Sequence, residues 1–369
     1  MSYGLVFAGG GVRGAYHIGV WRALKEMNID ICAVSGASIG AINGALFVQG
    51  DLKTAEELWE RIALSDIVSL PPDLVPDGDL FGIKSILKVA KTAFKNSGLD
   101  MRPLEELLTK ILDEERFRRS PVDFGLVTYS LTEKKLAALY KDDIPDGSLI
   151  PYLMAAACLP GFKIREIDSE RLIDAGMADN MPVDMMIKKG IDDIITVNVK
   201  GIGVYRDFNT AGRNIIPIEC HRPHTGTMDF DRGGIKDSIA EGYLDCKRAF
   251  GQLFGREFYF NISEYAYVRS KYSKSVIDGI QWAAYVFGID TLREYKFEEL
   301  AKKTLAAYLI YEGIADEEAA SGLGDKAIIM RLARLLETEG YDFAKSKLDV
   351  LGKNYEAASA LIYMKRKSI

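Results

Sequence analysis

Histidine is scarce in this chain: His17, His221 and His224 are the only three in 369 residues. Any histidine base must be one of them. His17 falls one turn into an expected helix and is read as a packed or capping residue. Cys220-His221-Arg222-Pro223-His224 is the one cluster, but three possible ligands on a proline-containing loop, with no second cluster, make a poor zinc site. A surface loop is the expected reading, and no metal is expected. The four cysteines (Cys32, Cys158, Cys220, Cys246) show no paired spacing. Cys32 and Cys158 lie in apolar context and are expected as buried thiols of a reducing compartment. No apolar run is long enough to span a bilayer, and no signal peptide is expected ahead of the first strand. Excess positive charge is also missing: 47 Lys and Arg against 53 Asp and Glu give a net charge of −6. That argues against a nucleic-acid partner and against attraction to membranes by bulk charge. A cytoplasmic protein is expected, peripheral at a membrane surface through local apolar contact if it meets lipid at all.

Glycine, by contrast, is placed with purpose. Gly9-Gly10-Gly11-Val12-Arg13-Gly14 and Gly36-Ala37-Ser38-Ile39-Gly40 each follow a short apolar run and each open a helix-like stretch. The second is a G-x-S-x-G sequence in strand-turn-helix context, the setting of a serine on a tight elbow. Gly36 and Gly40 would let the backbone turn and pack closely around Ser38. The first is a run of small residues able to aim several backbone N–H groups at one point beside a helix N-terminus. A nucleophile and an anion cradle on neighbouring strands are the two parts of an acyl hydrolase. Gly9-x-Gly11-x-x-Gly14 also spells the dinucleotide-binding fingerprint. That fold needs an acidic residue at the end of the second strand, where this chain has Val34-Ser35-Gly36. No nucleotide cofactor is therefore expected.

With these two elements the chain resembles the patatin-like phospholipases: residues 9–14 correspond to that family's oxyanion-hole sequence and residues 36–40 to its nucleophile elbow. Asp174-Ala175-Gly176 resembles the family's catalytic-aspartate sequence, with Ala175 where glycine is usual. Gly98-Leu99 ahead of Pro103-Leu104, and residues 155–162, are looser matches; together the resemblance spans roughly residues 3 to 260. It implies that Ser38 is the nucleophile and Asp174 its base, a dyad without histidine. A positive φ at residue 175 would strain alanine.

The chemistry follows from the residue types. A serine hydroxyl needs an adjacent base. Asp174, with an ordinary pKa of about 3.9, is a weak one unless desolvation raises it. N–H groups around Gly10, Gly11 and Val12 are expected to hold the tetrahedral oxyanion. A side chain at Gly11 is expected to block that approach while leaving the fold largely intact. Arg13 has three open readings: orienting the loop, meeting a substrate phosphate, or pairing with a carboxylate. The expected activity is hydrolysis of carboxylic esters of lipids, of phospholipase A or lysophospholipase type, on lipid or ester substrate at a membrane or micelle surface. Two alternatives stand beside it. One is a Ser-His-Asp esterase on small soluble esters, since His221 and His224 follow Asp174 in the right order. The other is an inactive lipid-binding or scaffolding protein, which Ala175 alone favours.

Strands alternate with helices to about residue 220, which predicts an α/β fold: a mostly parallel central sheet with helices on both faces, in the patatin-like three-layer arrangement. Strands are expected at 3–8, 31–35, 123–130, 163–167, 171–174, 193–200 and 214–219. Helices are expected at 14–26, 39–48, 53–63, 103–113, 148–157, 182–189 and 233–250. Residues 80–95 read as a packed helix or as a lid over the site. A catalytic domain over 1–263 precedes an all-helical C-terminal region over 264–369, which has Ile328, Leu332, Leu335 and Leu336 as an apolar stripe. That region is a candidate surface for homo-oligomerisation.

Overall fold

The computed structural model describes residues 2–69, 98–314, 324–338 and 352–367. The stretch expected as a helix or lid over 80–95 lies outside the described residues, as do the proline and glycine breakers before it. The chain divides into two compact units, Met1–Ala249 and Phe250–Ile369. The division falls ahead of residue 263/264, where the change in sequence character places it.

The first unit is built on one sheet. Its strands are β1 (Ser2–Phe7), β2 (Asp30–Ala37), β3 (Asp123–Ser130), β4 (Lys135–Tyr140), β5 (Arg165–Ile167), β6 (Glu170–Asp174), β7 (Asp193–Asn198) and β8 (Asn214–Glu219). The order across the sheet is β5-β6-β3-β2-β1-β7-β8, with β4 paired to β3 off this path. Pairing is parallel from β3 through β2, β1 and β7 to β8, and antiparallel for β4, β5 and β6. A central parallel strand must bury both faces, and β1 does so with consecutive apolar residues. Val6 packs with Ala33, Ile194, Val183 and Met186 on one face. On the other, the Phe7 ring stacks at 4.4 Å on His17 and lies edge-on at 6.4 Å to Phe47. His17 belongs to α1 (Ala15–Glu26) and Phe47 to α2 (Ile39–Gln49), whereas Val183 and Met186 belong to a helix over Val183–Lys188. The sheet is therefore covered on both sides, as the alternating pattern requires.

Among the described residues, each strand and helix expected before residue 250 is present within a few residues of its expected ends. Two elements had no signal. Lys135–Tyr140 closes a hairpin onto β3 through a turn with no glycine or proline; Lys134 supplies the left-handed position at φ 56°. A single charged helical turn and a half, Glu114–Arg119, is capped by Asp113, whose carboxylate accepts from the Arg116 N–H.

The second unit is mostly helical. Helices span Lys274–Val286, Phe297–Ile314, Asp325–Thr338 and Gly352–Lys367. One core gathers Phe258, Phe260, Ile280, Phe297 and Leu300, and another gathers Tyr308, Ile329, Ala333 and Leu361. Two expectations need correction. The region is not all helical: Glu294–Tyr295 forms a short strand pairing in parallel with Tyr259–Asn261, too short to leave a periodic trace. Leu335 is exposed rather than on the apolar stripe; Ile329, Leu332, Ala333 and Leu336 make the buried face at helical spacing.

Candidate active site

The edge of β3 decides where the two expected catalytic side chains go. β2 pairs along it as far as Ala37↔Val127, and β6 pairs from Asp174↔Thr128 onward. Since β4 fills the opposite edge of β3 over the same residues, β6 occupies the edge that β2 leaves. Ser38 therefore follows the last residue of one strand, and Asp174 is the first pairing residue of the next. They come from positions far apart in sequence and meet at one break in the sheet.

β2 leaves because the chain turns at Ser38 into α2. Ser38 sits at φ 53°, ψ −128°, a conformation rare for a side-chain-bearing residue and held here by its surroundings. The turn needs glycine on both sides. A Cβ at Gly36 would lie 2.3 Å from the Gly40 carbonyl, and one at Gly40 would lie 2.3 Å from the Phe7 carbonyl. Ser38 is 8% exposed and Asp174 5%.

Asp174 caps a short 3-10 turn: its Oδ1 accepts from the Gly176 N–H at 2.7 Å, and its own N–H donates to Cys158 O at 2.9 Å. Burial raises its pKa above the ordinary carboxylate value; the Ser38 hydroxyl and the Gly176 N–H oppose that rise. The hydroxyl is thus near enough to act on the carboxylate, yet Oδ2 is buried with no formed hydrogen bond. Ala175 does not adopt a positive φ; it is fully buried against Ala37, Val127 and Met185. Alanine is unstrained there, which removes the one feature that favoured an inactive protein.

The turn at residues 9–14 is held from several sides. Gly9 donates its N–H to Asn180 O at 3.0 Å, and Asn180 Nδ2 donates to Gly9 O at 3.1 Å. Val12 donates its N–H to Thr227 O at 2.9 Å, so the expectation that it serves as an oxyanion donor is corrected: its hydrogen is committed. The N–H groups of Gly10 and Gly11 have no hydrogen-bond partner among the described residues. Nor does that of Ile39, the first residue of α2. Gly11 adopts φ +59°, and a Cβ there would lie 2.0 Å from Thr227 O. A side chain at Gly11 would therefore disturb the packing of the loop itself, contrary to the expectation that the fold would tolerate it. Arg13 donates to Thr225 O at 3.1 Å and to Lys200 O, so among its three readings the loop-orienting one is realised. Gly14 ends the turn, its carbonyl accepting from Asn43 Nδ2 at 2.9 Å.

Two residues of the site carried no sequence signal. Asn180, buried, joins the Gly9 backbone to the segment after Asp174 and is itself met by Tyr205 Oη at 3.1 Å. Asn43 ties Gly14 to Trp59, whose Nε1 donates to Asn43 Oδ1 at 3.1 Å. An isolated asparagine has no pattern that separates it from a surface one.

Ser38, Gly11 and Ile39 open onto a narrow slot of ≈ 70 Å³ walled almost wholly by apolar side chains. Leu58, Trp59, Leu104, Leu108, Leu159 and Phe162 are among its lining. The looser sequence matches converge here, since Leu99 donates to Gly161 O and Lys163 donates to Leu99 O, each at 2.9 Å. The cysteines are all free; Cys32 is only half-buried, against expectation. His17 is sealed between Phe7 and Asn43, and burial lowers its pKa to about 3, so it stays neutral. His221 is exposed, and His224 faces Glu241 at 3.4 Å; neither is among the groups acting on Asp174. Among the described residues, no group of three or more His, Cys, Asp or Glu could hold a metal ion. No helix among them is long and apolar enough to cross a membrane.

These features define a class: an α/β protein whose serine elbow faces a buried carboxylate at the mouth of an apolar slot. Residues 5–187 match the model of the patatin-like phospholipases, and through this region the chain belongs to that family. It is 26% identical over 320 residues to the neuropathy target esterase sws of Drosophila melanogaster, covering 82% of this chain and 20% of that protein. It is 28% identical over 215 residues to the human patatin-like phospholipase domain-containing protein 6, covering 57% and 14%. With the lysophospholipase NTE1 of Mycosarcoma maydis it shares 26% over 206 residues, covering 55% and 10%. The chain thus spans about a fifth or less of the length of these relatives. The crystal structure of VipD from Legionella pneumophila overlaps 98% of this chain and 89% of its own at 15% identity and a TM-score of 0.38.

The raised pKa of Asp174 carries a stability consequence with a definite sign. A carboxyl whose pKa rises on folding favours the native state while protonated, and that contribution is lost as pH rises through the folded value. Asp174→Asn keeps an acceptor for the Gly176 N–H and removes the buried charge. Its melting temperature should equal or exceed that of the parent at neutral pH, with the difference shrinking toward pH 4. Thermal melts across that range check this; a variant markedly less stable at neutral pH would contradict the burial argument.

Proposed function

We propose that this chain is a serine acyl hydrolase that cleaves carboxylic esters of lipids, of phospholipase A or lysophospholipase type, through a Ser38–Asp174 dyad. The observation that carries the reading is the pairing of a strained Ser38 with a buried, partnerless Asp174 Oδ2 beside free N–H groups at Gly10 and Gly11. Ser38 Oγ attacks the ester carbonyl while its proton passes to Asp174 Oδ2. The N–H groups of Gly10 and Gly11, joined by that of Ile39, receive the oxyanion; each such donor is worth about 3–4 kcal/mol of barrier. Collapse expels the alcohol, which takes the proton from Asp174 and leaves an acyl-Ser38 ester. Water then attacks the acyl ester, giving its proton to Asp174, which returns it to Ser38 Oγ as the acid leaves. No step calls for a metal or an organic cofactor.

The apolar slot behind Ser38 suits an acyl chain, whose burial yields roughly 0.8 kcal/mol per methylene. Met177, close in sequence to Asp174, is 69% exposed, and Ile202 and Val204, which follow Gly201 beside Gly10, are 68% and 44% exposed. They neighbour one another because Val204 donates its N–H to Gly176 O at 2.8 Å. An apolar rim on a chain of net negative charge fits local contact with a membrane or micelle surface rather than attraction by charge. The free cysteines fit a reducing, cytoplasmic setting.

Ser38→Ala should abolish both ester hydrolysis and covalent labelling by a fluorophosphonate probe, leaving the melting temperature near the parental value. Turnover close to that of the parent would sink the reading. Asp174→Asn should be as damaging, by about 10³-fold or more, because the base itself is lost. Ile202→Asp should cut turnover of phospholipid in vesicles about tenfold or more while sparing a short soluble ester. Equal losses on both substrates would argue against an interfacial rim.

A further inference from the structure

The histidine cluster of the sequence is left without a role by the dyad, and its surroundings supply one. Glu241, on the helix Arg232–Ala249, is 2% exposed, and its Oε2 lies 3.4 Å from His224 Nε2. A buried carboxylate of this kind persists when a cation or hydrogen-bond donors meet it. From His224 the chain runs directly to the oxyanion turn. Thr225 O accepts from Arg13 Nε at 3.1 Å, and Thr227 O accepts from the Val12 N–H at 2.9 Å. The next residues, Met228 and Phe230, line the slot. Residues 224–230 are thus a strap that grips the turn carrying Gly10 and Gly11 and at its other end sets His224 Nε2, buried with no formed hydrogen bond, against Glu241.

We propose that His224 is a positioning residue: as an imidazolium paired with Glu241 it holds this strap against the turn, keeping the free Gly10 and Gly11 N–H groups aimed at the ester bound at Ser38. The proposal rests on the hydrolase reading of Ser38. On loss of the proton the ion pair weakens, the strap loosens and the oxyanion donors lose their aim. The groups facing the pair are few. Asp237 on the same helix favours the imidazolium and Arg222 opposes it. Cys220 donates its thiol to Glu241 Oε2 at 3.5 Å, and burial pushes that thiol well above neutral pH. Tyr16, bonded to Asp245 at 2.7 Å, is also pushed far up and stays protonated. Contact with Glu241 raises the His224 pKa above the ordinary imidazole value against the opposing effect of its burial, so His224 keeps its proton to higher pH than a free imidazole would.

The sign of the pH dependence separates this role from that of a triad base. A base works as neutral imidazole, so activity would rise with pH through its pKa. A positioning cation requires the opposite: activity falls as pH rises through it, giving an alkaline limb opposite the acid limb set by Asp174. The test uses the full chain with a soluble ester. The parent should show that alkaline limb in kcat. Glu241→Gln should move it to lower pH by about one unit or more. His224→Gln should abolish it and drop the plateau about tenfold, and His224→Lys, which keeps a cation, should restore the plateau. A limb unchanged in both His224→Gln and Glu241→Gln would overturn the proposal, as would activity that rises with pH and is lost in His224→Lys. Hydrogen exchange over residues 10–14, followed in the parent and in Glu241→Gln, gives a readout independent of turnover. Faster exchange in the variant supports the strap and equal exchange refutes it. Fluorophosphonate labelling of the parent against Ser38→Ala tests the hydrolase reading alone, so the two can fail separately.

Discussion

The edge of β3 is the constraint on which the site depends. One strand edge carries two partners in succession, and the handover from Ala37↔Val127 to Asp174↔Thr128 falls between consecutive residues. Hydrogen-bond register is discrete, so the positions of Ser38 and Asp174 are set to within a fraction of a residue by backbone pairing alone. The side chains then need little conformational freedom to face each other. Adjacent in the sheet, β1 ends at Phe7 opposite Gly36, which brings the glycine turn to the same end of the sheet. Sites at the carboxyl ends of parallel strands have this economy: several loops start from fixed points a strand-spacing apart.

The site is also where the molecule departs from what stability alone would select. Ser38 occupies a left-handed backbone region without being glycine, Asp174 keeps a buried oxygen without a partner, and amides of Gly10, Gly11 and Ile39 stand unbonded. Each is unfavourable by itself. Ser38, Gly11 and Ile39 all line the apolar slot, so these unfavourable features gather at one place. The surroundings hold these features in place through bonds of the opposite character. Asn180 grips Gly9 by two bonds, Arg13 and Val12 are anchored on carbonyls of residues 200, 225 and 227, and Asn43 bonds both Gly14 and Trp59.

Much of the fold was legible because it rests on local patterns. Consecutive apolar residues bounded by turns marked each strand of the parallel sheet, and helical spacing marked the helices between them. The hairpin to β4 escaped notice because Lys134 takes the left-handed position that a glycine would have advertised. Leu335 was misplaced since a leucine-rich stretch offers more than one plausible face, and only packing against Tyr308 and Leu361 selects Ile329, Ala333 and Leu336. At the site, glycine spacing exposed the two turns, but the commitment of Val12 to Thr227 could not be read from it. That bond joins residues on distant loops.

Asp174 stands out in the chain only through its resemblance to the family's aspartate sequence, whereas local patterns suffice for the α/β alternation, the elbow around Ser38 and the glycine turn before α1. These follow from steric rules that act within a few residues: glycine where no Cβ fits, apolar runs where both faces are buried. The tertiary structure alone decided which N–H groups stay free, that Asn180 and Asn43 brace the turn, that His224 faces Glu241 instead of Asp174, and that Ala175 is unstrained. Each of these depends on which distant segments the sheet register brings within hydrogen-bond reach, and a hydrogen bond is made or lost over less than an ångström. No local pattern in the chain encodes that distance.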